Sequence, residues 1–72
     1  MSKFKPPNKA AQALLQHREK HGLTLKDVAV ELGTTQVTVC RLEQGTEPRL
    51  RLAIRVSEYL GIPISAFLEA AK

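Results

Sequence analysis

Gln36, Val37, Cys40 and Arg41 stand at i, i+1, i+4 and i+5. At about 100° per residue that spacing places them, with Gln44, on one arc of a helix. The arc sets an amide and a guanidinium beside two apolar side chains and holds no Lys/Glu pair of the kind that decorates a solvated face. Gln and Arg are long planar donors that reach base edges bidentately, Gln preferring adenine and Arg guanine, while a valine methyl suits the thymine methyl. Cys40 is small enough to permit close approach. The arc therefore reads as a surface built for the DNA major groove.

Other reactive side chains are sparse. His17 and His21 are four apart, a ligand-compatible spacing, but no third ligand accompanies them, and they read as boundary imidazoles with no metal assigned. The single cysteine excludes an internal disulfide framework and a multi-cysteine zinc site. Cys40 itself reads as an inert small residue, with a redox sensor as the sharper alternative. No carboxylate pair, glycine-rich phosphate loop or Cys/His pair on one element stands out, so no catalytic residue, enzyme activity or cofactor is expected.

The elements that hold the arc follow from local signals. Thr35 is the expected N-cap and Gly45 the left-handed stop of a helix over 36–44. Its opposite arc, Thr35, Thr38, Val39, Leu42 and Glu43, points inward. Thr24 opens the preceding helix with Asp27 as a capping-box partner; Val28, Ala29 and Leu32 form its inner stripe and Gly33 ends it. Two short helices joined by so tight a turn suit a crossed helix-turn-helix over 24–44. Asn8 caps a first helix over 9–21 with Ala11, Leu14, Leu15 and Arg18 on one face, stopped by Gly22. Pro48 precedes a fourth helix over 49–59, whose stripe is Leu50, Ala53, Ile54, Val56 and Leu60, stopped by Gly61. Ile62-Pro63 begins a fifth, carrying Ile64, Phe67 and Leu68. The expected fold is all-α, a compact five-helix bundle over 9–72.

Residues 1–8, with Lys3, Lys5 and Pro6-Pro7, read as a flexible basic arm: a solvated tail, or an extension that touches phosphates or the minor groove. The 72 residues make one small domain, and 43% hydrophobic residues with no Trp imply an aliphatic core. A net charge of +4 favours a polyanionic partner. No apolar run approaches the ~20 residues of a membrane span, and the basic N-terminus has no hydrophobic stretch behind it. A cytoplasmic protein with no membrane partner and no small-molecule ligand is expected.

Laid out in order, these residues resemble the phage repressor and Cro family of lambda-repressor-like helix-turn-helix domains, from about Leu14 to Leu68. The family's pattern of a small residue, a turn glycine and β-branched or leucine residues is matched by Ala29, Gly33, Val39 and Leu42. Its Arg-x-x-x-Gly-Leu-Thr/Ser opening is matched by Arg18 to Thr24, and its Leu-Glu-x-Gly ending by Leu42 to Gly45. The later Leu-Gly-Ile segment is matched by Leu60-Gly61-Ile62. The chain departs from the pattern at Leu25, where relatives often carry a phosphate-binding glutamine, at His17, often apolar, and at Pro63, where Ser or Asp often caps the last helix.

The resemblance implies a sequence-specific regulator of transcription, a Cro-like repressor bound as a homodimer to a pseudo-palindromic operator in double-stranded DNA. An antitoxin that binds a toxin protein and autoregulates its operon is the alternative from another class. The resemblance further implies base reading by Gln36, Val37, Cys40 and Arg41, and phosphate contacts by Thr24, Thr35, Gln44 and Arg49. It also implies a structural ion pair of Arg18 with Glu43, and it makes the last helix, through Phe67 and Leu68, the candidate dimer contact.

Overall fold

The computed structural model describes residues 6–70. Four α-helices follow one another: α1 Lys9–Lys20, α2 Leu25–Leu32, α3 Gln36–Glu43 and α4 Leu50–Leu60. A 3₁₀ segment over Ile64–Leu68 closes the fold. The fifth α-helix expected from the sequence is therefore corrected to a 3₁₀ turn. Five residues behind Pro63, with the Ala66 amide bonded back to the Pro63 carbonyl at 3.0 Å, are too few to develop i→i−4 bonding.

Each helix starts and stops on its own residues. The Asn8 side chain accepts from the Ala11 amide at 2.8 Å. Thr24 and Asp27 form a reciprocal capping box: the Thr24 amide donates to the Asp27 carboxylate at 2.9 Å, and the Asp27 amide to the Thr24 hydroxyl at 3.1 Å. The Thr38 amide donates to the Thr35 hydroxyl at 3.2 Å. Each of the four helices is followed by a glycine and a bond from the next amide to the carbonyl five residues back, the Schellman pattern. That conformation matters most at Gly33, whose φ of 69° turns the chain from α2 into α3 within Thr34-Thr35.

The core is aliphatic: Leu14 of α1, Val28, Ala29 and Leu32 of α2, Val39 and Leu42 of α3, and Val56 of α4. Val28 and Val39 are wholly buried where α2 crosses α3. Leu23, Leu25, Leu52, Tyr59, Leu60 and Phe67 close its edges. Leu25 thus packs on the core instead of joining an exposed surface. Each fully buried leucine or valine contributes roughly 1.5–3 kcal/mol of burial free energy.

The stripe expected on α4 needs correction. Ala53 and Val56 are buried and Leu60 packs at the edge, but Leu50 and Ile54 face outward, 70% and 43% exposed. Leu52 and Tyr59 take the inner positions. Ile64 and Leu68 of the 3₁₀ segment are also exposed, so α4 and that segment share an apolar outer surface.

The expected arm divides. Residues 1–5 lie outside the described residues. Pro7 sits against Gly45, Asn8 forms an antiparallel bridge with Ala70, and the Lys9 amide donates to the Glu69 carbonyl at 2.8 Å. The root of the arm is therefore fixed to the body.

Candidate nucleic-acid interface

The geometry of α3 begins with its inward side. Val39 and Leu42 enter the core, and Glu43 is buried with them, 6% exposed. A buried carboxylate requires a partner, which Arg18 of α1 supplies through two bonds, Nε to Oε2 at 2.7 Å and Nη2 to Oε1 at 3.1 Å. Arg18 also donates to the Leu23 carbonyl at 3.4 Å, tying the end of α1 to the same point. The Glu43 hydrogen bond, against the cost of burial, pushes the Arg18 guanidinium further toward its charged form. Three fixed points, Val39, Leu42 and Glu43, thus hold α3 in rotation about its axis.

That rotation turns the other arc outward. Gln36, Val37, Arg41 and Gln44 are exposed and Cys40 is half-buried. Val37 keeps 59% of its surface in solvent, the more exposed of the two apolar side chains on this arc. The Gln44 amide donates to the Cys40 sulfur at 3.7 Å. Among the described residues the ion pairs are Lys9–Glu69 and Arg18–Glu43, so Arg41, Arg49, Arg51 and Arg55 keep their charge unpaired by carboxylates.

The residues expected to contact phosphate stand at separate helix ends, Thr24, Thr35 and Arg49 at the starts of α2, α3 and α4 and Gln44 at the end of α3. Arg49, the N-cap residue of α4, lines a depression of about 270 Å³ together with Arg41, Thr34, Thr38 and Thr46. Glu47 contributes one carboxylate to its rim. Thr24 stands at the opposite end of α2, where its backbone N–H and hydroxyl hold the Asp27 carboxyl below the usual carboxylate range. The hydroxyl of Thr35 is likewise committed to capping α3, with Thr38 Oγ1 2.9 Å away. Phe67 is half-buried against the core, whereas Leu68 is 78% exposed.

Two features had little signal in the sequence. His17 of α1 lies edge-on to Tyr59 of α4, with its Nε2 3.0 Å from the phenolic oxygen, and Tyr59 donates in turn to Glu31 of α2. This chain links α1, α4 and α2 through the residue next to Arg18; only the half-buried placement expected of His17 hinted at it. The second feature is a shallow pocket whose rim holds Arg51 and Arg55 beside Arg49. The spacing of Arg51 and Arg55, one helical turn apart, was its available signal.

A model of helix-turn-helix domains matches residues 14–67 of the chain. The chain belongs to the XRE-type helix-turn-helix family. In that frame α2 and α3 are the paired helices and Gly33-Thr34-Thr35 the turn. The chain is similar to an uncharacterized HTH-type transcriptional regulator of Methanocaldococcus jannaschii, at 35% identity over 52 residues, 71% of this chain and 79% of that one. It is also similar in structure to the crystal structure of apo-HppE, with a TM-score of 0.59 and 29% identity. That match covers 88% of this helix-turn-helix chain but 36% of the other, so it spans about a third of the longer protein.

Proposed function

We propose that this helix-turn-helix chain is a sequence-specific, double-stranded-DNA-binding regulator of transcription, acting as a Cro-like repressor that occludes its operator. The observation that carries the reading is the outer arc of α3: Gln36, Val37 and Arg41, exposed together on a helix whose rotation is fixed by a buried ion pair. In this reading α3 enters the major groove, with Gln36 and Arg41 reading base edges, Val37 against a thymine methyl and Cys40 allowing close approach. Thr24, Thr35, Gln44 and Arg49, with the amides of helix N-termini, set register on the phosphates.

The reading includes a homodimer on a two-fold operator. One copy measures 30 × 25 × 20 Å. Two copies side by side thus suit half-sites one helical turn, ~34 Å, apart. The exposed apolar surface of Leu50, Ile54, Ile64 and Leu68, with Phe67 at its base, supports the dimer contact.

Selection of operators from a random DNA pool tests this. The expected product is an inverted repeat with half-site centres about ten base pairs apart. Gln36→Ala or Arg41→Ala should cost roughly 1–3 kcal/mol in affinity and relax one base position each. If the pool yields no motif and binding is salt-sensitive but indifferent to sequence, the reading fails and a protein partner becomes the object of search.

A further inference from the structure

We infer that the pocket between the end of α2 and the first turns of α4 is a phosphoryl-binding site, filled by a backbone phosphate of the bound DNA. The inference rests on the DNA-binding reading above and extends it to two residues outside the expected contact set, Arg51 and Arg55.

The pocket is a shallow, open depression of about 190 Å³ lined by Gly33, Thr34, Arg49, Arg51, Leu52 and Arg55. Three of its six residues are arginines, and among the described residues no carboxylate lines it. No ion pair among the described residues involves any of the three. Collecting three like charges around one concavity costs repulsion unless an anion joins them, and the planar guanidinium fork matches phosphate oxygens. Arg55 is already oriented: its Nη1 donates to the Leu32 carbonyl at 3.2 Å, at the end of α2. That bond uses one of five N–H donors and leaves the rest of the fork available.

Position favours DNA as the source of the phosphate. The pocket shares Thr34, Arg49 and Leu52 with the depression that reaches Arg41 on α3. The two form one trough, running from the base-reading helix outward to α4. A strand whose bases lie against α3 carries its backbone phosphates along such a path.

The test uses the full chain on its selected operator, with Arg51→Gln and Arg55→Lys variants. Arg51 is exposed and bonded to nothing in the core, so its replacement leaves the fold intact; melting curves check both variants. For Arg51→Gln the slope of log affinity against log salt should flatten by about 0.9, the loss of one phosphate contact. Ethylation of one particular phosphate, harmful to wild-type binding, should become indifferent in the variant. Arg55→Lys keeps the charge but loses the fork, and should weaken binding several-fold. A second arm titrates inorganic phosphate and pyrophosphate against the free protein. A rise in melting temperature in wild type that disappears in Arg51→Gln, with the DNA salt slope unchanged, assigns the site to a free phosphate-bearing ligand. The inference is overturned if both variants match wild type in salt slope, ethylation pattern and phosphate response while Arg41→Ala still lowers operator affinity. Loss of sequence preference in wild type would instead defeat the DNA reading, and the phosphate arm would still decide the pocket.

Discussion

Glu43 is a carboxylate where a carboxylate alone could not remain, and its two bonds to Arg18 are what make the position tenable. Removing one member of such a pair strands the other. Glu43→Ala should therefore destabilise the domain by about 3 kcal/mol, the low end for buried pairs because Arg18 keeps some access to water. Chemical denaturation checks it, and the double variant Arg18→Met/Glu43→Leu should recover much of the loss. Tyr59 offers a cleaner titration, since it is the only tyrosine in the chain. Burial first, then the hydrogen bond and charge of Glu31, push its phenol up to about 12. An unfolded tyrosine titrates near ~10, so below that pH both states hold the proton and the stabilisation is complete. As pH rises from there toward the folded value, the unfolded state releases its proton first and stability falls. Tyrosinate absorbance should show the raised midpoint, and Tyr59→Phe should remove that alkaline slope.

The helices were legible in the sequence because their boundaries are written in single residues. Asn8, Thr24 with Asp27, and Thr35 cap as their types dictate, and Gly22, Gly33, Gly45 and Gly61 stop what they follow. The face of α4 was not legible. Leu50, Leu52, Ala53, Ile54, Val56, Tyr59 and Leu60 cover all of that helix but the side of Arg51, Arg55 and Glu58, a band too wide for periodicity to choose which of them the neighbours will cover. Packing chose Leu52 and Tyr59 over Leu50 and Ile54. The outer arc of α3 was readable because its mixture of side chains is unusual; the pocket of Arg49, Arg51 and Arg55 was not, because tertiary structure assembles it. At the end of α3, Gly45 has φ of 96° and its Cα faces the Pro7 ring. Gly45→Ala would drive a methyl into that ring as well as straining the backbone, and should cost about 1–2 kcal/mol in thermal unfolding. Pro7→Gly in the same chain should restore the steric part and leave the backbone part, a split that a double-mutant cycle measures.

The molecule as a whole divides its surface by chemistry. Arginines 41, 49, 51 and 55 gather along the trough beside α3, while Leu50, Ile64 and Leu68 line a mostly apolar groove between α4 and the 3₁₀ segment, with Glu47 at its rim and Ile54 exposed one helical turn on from Leu50. Contiguous apolar surface of this kind marks association. Ile54→Glu or Leu68→Glu should leave the melting temperature near that of wild type, because neither side chain enters the core. Either should lower the sedimentation-derived association constant, and operator binding should lose its concentration cooperativity. Equal association of variant and wild type would remove the dimer from the proposed mechanism and leave the groove reading standing.

The bridge from Asn8 to Ala70, with the Lys9–Glu69 bonds beside it, also sets how the domain bears tension. Because the two segments run antiparallel, the chain enters and leaves on the same side. Force drawn through the flanking residues opens these contacts one after another, as a zipper opens, before it reaches the interior of any helix. Pro7, nearest the pulled end, would lift from Gly45 first, the Asn8–Ala70 clasp would yield next, and the end of α3 would register the pull before the other helices do.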